Sequence, residues 1–234
     1  KVLVDMPPNQ MAFHLGGALA FGTDGKLYFS TGEHVGVDPQ SLQDPAGKIF
    51  RFNADGSVPD DDPHVATGSG VMRAVWARGF RAPFTMAVEP STGRLFVSEV
   101  GDSKFEEVDE IVKDGNYGWP LSEGPTTTPG QTGPIFSYGH DQGCAIVGGA
   151  FGPRGYSFMD YCKGWIRAFD PNTKQVVDLG HAGGKGPVAI ASAGGKLYYV
   201  TRGSTDLDGG SGPGYETGKL FELDPTVSAT PTGS

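Results

Sequence analysis

Two short segments of this 234-residue sequence carry side chains able to pass a proton between an imidazole and a carboxylate. One is "HLGG", with His14 just ahead of Gly16 and Gly17. The other is "STGEH", which places Glu33 nineteen residues further on. Neutral imidazole is the usual general base near neutral pH, and an adjacent carboxylate orients the ring and stabilises its protonated form. Glycine tolerates backbone angles and close approaches forbidden to other residues, so a histidine beside Gly-Gly can stand clear at a channel mouth. The residues between them, "ALAFGTDGKLYF", follow strand–turn–strand grammar with Asp-Gly at the bend. A hairpin of that form returns Glu33 to the rim where His14 stands. The same residues also read as a loop histidine beside a solvated glutamate.

A second cluster, "WARGFRAPFTM", flanks an aromatic with Arg78 and Arg81 and fixes the following loop with Pro83. An arginine at the start of an inner strand can clamp a ligand carboxylate, or it can answer acidic surface groups. A third, "EVGDSKFEEVDEIVKDGNYGWP" (99–120), groups Glu99, Asp102, Glu106, Glu107, Asp109 and Asp114 around glycines. It reads as an acidic loop able to offer calcium both carboxylate and carbonyl oxygens, although it lacks EF-hand spacing; solvated acid is the alternative. The acidic turn at Asp60, Asp61 and Asp62 reads as solvated. Cys144 and Cys162 suit one disulfide between paired strands, two inert thiols, or no relation at all. The histidines form no zinc spacing, and the chain has no nucleophile elbow, P-loop or dinucleotide fingerprint.

The elements that must position these groups are short strands. With 38 glycines and 18 prolines, and no sustained i, i+3, i+4 apolar stripe, the chain is built of turns and strands rather than long helices. Three segments repeat one pattern: "ALAFGTDGKLYFSTG", "TMAVEPSTGRLFVSEVG" and "VAIASAGGKLYYVTRG". Each is followed by a further strand of the type "GKIFRFNADG", and a fourth unit spans "CAIVGGAFGPRG" and "GWIRAFDPNTKQVVDL". The fold class expected is all-β, a β-propeller with about four blades visible. It occupies residues 1–225, with 226–234 as linker or tail. The opening "KVLVDMPP" reads as an outer strand finishing an earlier blade. That predicts completion of the propeller by a further segment or another chain, because open edges are a liability.

The net charge of −9 excludes a nucleic-acid partner, which would need clustered Lys and Arg. No run approaches the length of a membrane helix. Low lysine content and the "TVSATPTGS" ending point to an extracellular or periplasmic, secreted protein.

In order along the chain, "HLGGALAFGTDGKLYFSTGE", "LQDPAGKIFRFNADGSVPDDDP", "VWARGFRAPF", "TGRLFVSEVG", "EEVDEIVKDGNYGWP", "YGHDQGCAIVGGAF" and "FMDYCKGWIRAF" resemble the glucose/sorbosone dehydrogenases, the quinoprotein sugar dehydrogenases. The resemblance covers nearly the whole chain. It implies a six-bladed propeller, secretion, and pyrroloquinoline quinone (PQQ) held on the axis over Ca2+. It further implies oxidation of an aldose at its anomeric carbon to a lactone, with His14 as base and Glu33 supporting it. The electron acceptor is not implied.

By the same resemblance Arg81 and Lys185 contact the cofactor. Gly101 and Asp102 supply main-chain oxygens to its calcium, and Glu107 and Tyr117 are ligands of a second, structural calcium. The sequence departs from the family at Ala82, where an amide is expected, at Val100, where a glutamine is expected, and at Cys162, in the place of a cofactor-binding lysine. Those losses support an alternative reading, a non-catalytic secreted propeller acting as a glycan- or protein-binding or structural module.

Overall fold

The computed structural model describes residues 1–6, 8, 14–203 and 217–226. Tail residues 227–234 lie outside them. The chain divides into two compact units, 1–137 and 138–234.

In the first unit β1 (Gly16–Phe21), β2 (Leu27–Thr31), β3 (Lys48–Phe52) and β4 (Val75–Arg78) form an antiparallel meander. A second meander holds β5 (Pro83–Val88), β6 (Leu95–Glu99) and β7 (Phe105–Ile111). The short β8 (Gly115–Asn116) instead pairs in parallel with β4, and β9 (Phe136–Gly139) ends the second sheet. The second unit carries β10 (Ile146–Gly152), β11 (Gly155–Asp160), β12 (Trp165–Phe169) and β13 (Val176–His181) in one sheet. Its other sheet is β14 (Pro187–Ala193), β15 (Lys196–Thr201) and β16 (Lys219–Leu223). Among the described residues the only helix is a 3-10 turn at Gly70–Ala74. Sequential antiparallel meanders of this kind are β-propeller blades, and the fold class is all-β as the repeat predicts.

Alternation along each strand decides what is buried. Ala18 and Ala20 of β1 pack with Ile49, Ala77, Met86 and Val97 into a core between the first two sheets, whereas Leu19 and Phe21 on the opposite face are exposed. Phe50, Phe52, Met72 and Val75 form a separate cluster, joined by Leu3 and Val4. Burying each such large side chain stabilises the fold by about 1.5–3 kcal/mol. Residues 1–6 form no strand, contrary to expectation. In the second unit Met159, Ile166, Leu197 and Tyr199 fill the core between its two sheets.

The acidic turn at 60–62 departs from its reading as solvated. Asp62 is buried and takes the Arg51 guanidinium at 2.7 Å, while Arg51 also bonds Asp24 and Asp61 and stacks over Trp76 at 4.5 Å. A buried arginine on β3 needs counter-charge, and the turn supplies it.

Candidate functional site

The β1–β2 register sets Gly16 opposite Thr31, with a bulge between Gly16 and Leu19. Just beyond the paired residues stand His14 and Glu33, with Nδ1 of the imidazole 3.1 Å from the Glu33 Oε1. Gly32 makes this approach possible. A Cβ there would lie 1.7 Å from the His14 carbonyl oxygen and 3.0 Å from that of Arg81. His14 itself has φ of 61°, a left-handed conformation that costs a non-glycine residue on the order of 1 kcal/mol. The Glu33 amide donates to the Arg81 carbonyl at 2.7 Å, and the Trp119 indole N–H donates to Glu33 Oε2 at 2.6 Å.

Burial alone would raise the Glu33 carboxyl. The bonds from His14 and Trp119 and the charge of Arg81 outweigh it and hold the group below the usual carboxylate range. An ionised carboxylate only accepts, so Nδ1 of His14 carries the proton and Nε2 is the basic nitrogen.

Arg81 occupies the same rim. Its Nη1 donates to the carbonyls of Gly101 and, at 3.3 Å, Val100, and its Nη2 lies 3.1 Å from the Asp102 carboxylate. Its Nε is buried without a hydrogen-bond partner. Glu33 Oε1, 3.5 Å away, offers it charge but no bond. The loop carrying Gly101 and Asp102 is shaped by Glu123, whose Oε1 accepts the amides of Asp102, Ser103, Lys104 and Phe105 at 2.8–3.1 Å. Gly101 leaves no room for a side chain: a Cβ would stand 1.7 Å from the Phe105 carbonyl oxygen.

The acidic stretch is not a loop. Its middle is strand β7, and the register pairs Glu99 with Glu107 and Val97 with Asp109. Because side chains two apart share a face, Glu107 and Asp109 face the cavity together with Glu99. These three, with Arg81, Gly101, Tyr117, Trp119 and Glu123, line a cavity with about 10 Å³ for the centre of a water-sized sphere, room for one ion or water. Glu99 Oε2 and both carboxylate oxygens of Asp109 are buried there with no hydrogen-bond partner. Desolvation, reinforced by the neighbouring carboxylates, raises Asp109 well above the usual range. Burial likewise raises Glu99, and Glu107 is pushed up to about 7. Acceptor oxygens without donors are what a bound cation satisfies. The Tyr117 phenol is already used, donating to the Glu110 carbonyl at 2.5 Å and accepting from the Val112 amide at 3.0 Å.

The first unit therefore brings together His14, Glu33, Arg81, Gly101, Asp102, Glu107 and Tyr117. Lys185 lies in the second unit, exposed in the turn before β14. Cys144 and Cys162 are joined in a disulfide with Cα atoms 5.8 Å apart, from the segment before β10 to the β11–β12 turn. Asp160 organises both ends of this bridge, accepting from the amides of Cys144 at 2.9 Å and Cys162 at 3.0 Å.

Sequence reasoning did not single out Trp119, Glu123, Glu99 or Asp109 individually. A carboxylate two residues from Glu107 on a strand was a readable signal for Asp109. None existed for Trp119, which meets Glu33 across 86 positions.

The pattern of the glucose / sorbosone dehydrogenase family matches residues 1–145. The chain belongs to that family. It is 34% identical over 122 residues to the aldose sugar dehydrogenase YliI of Escherichia coli, covering 52% of this chain and 33% of the relative. It is 33% identical over 127 residues to the quinoprotein glucose dehydrogenase B of Acinetobacter calcoaceticus, covering 46% of this chain and 26% of that protein. Thus the chain spans a third or less of the length of these curated relatives. Among solved structures, the PQQ-bound aldose sugar dehydrogenase of Streptomyces coelicolor superposes with a TM-score of 0.79 at 27% identity, over 94% of this chain and 64% of that one.

Proposed function

We propose that this chain supplies the base, and residues that hold the cofactor and its metal, of a PQQ-dependent aldose dehydrogenase that oxidises the anomeric carbon to a lactone. The observation that carries the reading is the His14–Glu33 pair beside Arg81, at the rim of an acidic ion-sized cavity. When bound, PQQ supplies a two-electron acceptor for the C1 hydride of the sugar. His14 Nε2 takes the anomeric hydroxyl proton, and the lactone carbonyl forms from that oxygen as the C1–H electron pair departs. Nδ1–H stays bonded to Glu33, whose negative charge offsets the new imidazolium. Neither nitrogen then needs to rotate during the step.

The unmatched Arg81 Nε and the unmatched carboxylate oxygens of Glu99 and Asp109 suit an anionic cofactor and a cation. Arg81 offers a buried N–H to a cofactor carboxylate. Gly101 and Asp102 would hold calcium through main-chain oxygens. Glu107 and Tyr117 would hold a second calcium, Tyr117 through its carbonyl because its phenol is engaged. We extend the propeller domain over residues 1–225, with 226–234 as a tail. Secretion is consistent with the disulfide, which persists in oxidising compartments. Among the described residues no helix is long and apolar enough to cross a membrane.

Reconstitution with PQQ and Ca2+, followed by dye reduction with a panel of aldoses, tests the reading. Turnover is expected, with His14→Ala lowering kcat by about 10²-fold or more. Absence of both quinone uptake and turnover overturns it. A second reading, a non-catalytic glycan- or protein-binding propeller, is favoured by Ala82 and Val100, whose side chains offer a cofactor no hydrogen bond. That outcome predicts retained folding and calcium binding without quinone uptake.

A further inference from the structure

Two neighbours of Glu33 compete for one of its carboxylate oxygens, Oε1. His14 Nδ1 lies 3.1 Å from Oε1, and Arg81 Nε lies 3.5 Å from the same oxygen, buried and without a hydrogen bond. An arginine–carboxylate pair is ordinarily the stronger of the two, because the guanidinium is always charged. A rotation of the Glu33 carboxylate would satisfy Arg81 Nε and abandon His14. One contact opposes that rotation: the Trp119 indole N–H, 2.6 Å from Oε2.

Trp119 is itself held on several sides. Its amide donates to the Gly79 carbonyl at 3.0 Å, and its carbonyl accepts from the Gln40 side chain at 2.7 Å. Its ring lies 5.7 Å from the Arg81 guanidinium carbon, within cation–π range. Gln40 belongs to the loop that begins after Glu33, and Lys48 Nζ closes that loop by donating to the carbonyls of Pro39 at 2.8 Å and Ala46 at 2.6 Å. The indole is therefore a fixed donor against which a flexible glutamate is set.

We infer that Trp119 is a positioning residue that selects between the two partners of Glu33, holding the carboxylate on His14 and away from Arg81. The consequence is a tautomer. With Glu33 on Nδ1, the neutral imidazole keeps its proton there and presents Nε2 as acceptor. With Glu33 on Arg81, Nδ1 loses the carboxylate that holds its proton there, and the Nε2–H form, which cannot accept a proton at Nε2, gains population. The role of the tautomer in catalysis rests on the function proposed above. The selection itself does not.

The test is 15N NMR of histidine-labelled protein without cofactor, above the imidazole pKa, with His14 assigned through His14→Gln. Wild type is expected to show the Nδ1–H form. Trp119→Phe, which keeps a ring but removes the donor, is expected to shift His14 toward Nε2–H. The double variant Trp119→Phe with Arg81→Met removes the competitor and is expected to restore Nδ1–H, a rescue that general loosening would not produce. Should Trp119→Phe fail to fold, replacement of Trp119 by benzothienylalanine deletes the N–H from an isosteric ring and gives the same readout. An unchanged tautomer in a folded variant lacking the N–H overturns the proposal, as does failure of the double variant to restore it. In protein reconstituted with PQQ and Ca2+, Trp119→Phe should lower kcat about tenfold or more with KM within about twofold. If wild type shows no turnover, the proposed function falls while the tautomer result stands.

Discussion

His14 depends on partners that differ in kind, and substitution separates them. Glu33→Gln keeps the shape but removes the charge that offsets the imidazolium. It is expected to lower kcat about 10–100-fold in dye-reduction assays. Lys48 is a buried cation away from the reacting atoms, and desolvation lowers its pKa from 10.5 to about 8. Below pH 8 it is charged in both folded and unfolded chains, and the full cost of burying the ammonium is present. Between pH 8 and 10.5 the folded chain sheds the proton while the unfolded chain keeps it, so stability rises with pH across that window. Urea denaturation from pH 7 to 10 should show the rise, roughly 2–3 kcal/mol at most, and Lys48→Met should flatten it. Tyr28, pushed up to about 12 chiefly by burial, acts oppositely, its contribution being lost as pH rises above 10. Arg51→Ala should cost about 3–5 kcal/mol in the same measurement, because it strands the buried Asp62 carboxylate.

At the scale of the strand and turn, glycines decide whether the site can assemble. The hairpin delivers His14 and Glu33 to one end, but only because Gly32 lets the chain pass between two carbonyls. Gly32→Ala is expected to break the 3.1 Å contact or prevent folding, seen as a lowered melting temperature and loss of the Nδ1–H signal of His14. By contrast, a Cβ at Gly25 meets nothing within 4 Å, so Gly25→Ala pays only the strain of its φ of 70°. Strand β7 shows the second rule of this scale. Glu107 and Asp109 fall two apart, so pairing of β6 with β7 sets both on the face of Glu99, while Glu106 is buried on the other face.

For the whole molecule, the calcium proposed at the buried carboxylates would link folding to cation binding. Calcium at 100 times its Kd should add about 2.7 kcal/mol of stability, and a chelator should remove it. Asp109→Asn should reduce that calcium-dependent rise in calorimetry while relieving buried charge in the metal-free protein. The disulfide closes a loop across a sequence separation of 18 in the second unit. Cys162→Ser should lower stability by about 3 kcal/mol, measured by denaturant unfolding.

Much of this architecture was legible in residue order. Alternation and turn residues located β1, β2, β3 and β12 because they act over a few positions, and the hairpin they define already set His14 across from Glu33. Residues 1–6 carried a strand-like pattern too, yet no strand among the described residues pairs with them, so the pattern became packing of Leu3 and Val4 instead. What only the tertiary structure decided is which polar groups lose water and who answers them. Asp62 looked like a solvated turn until Arg51 was buried beside it. Glu33 looked like a solvated acid until an indole 86 residues away reached its second oxygen. Local periodicity assigns a side chain to a face of its own strand. Desolvation and hydrogen-bond choice arise from groups far apart in sequence, and no short window of residues contains them.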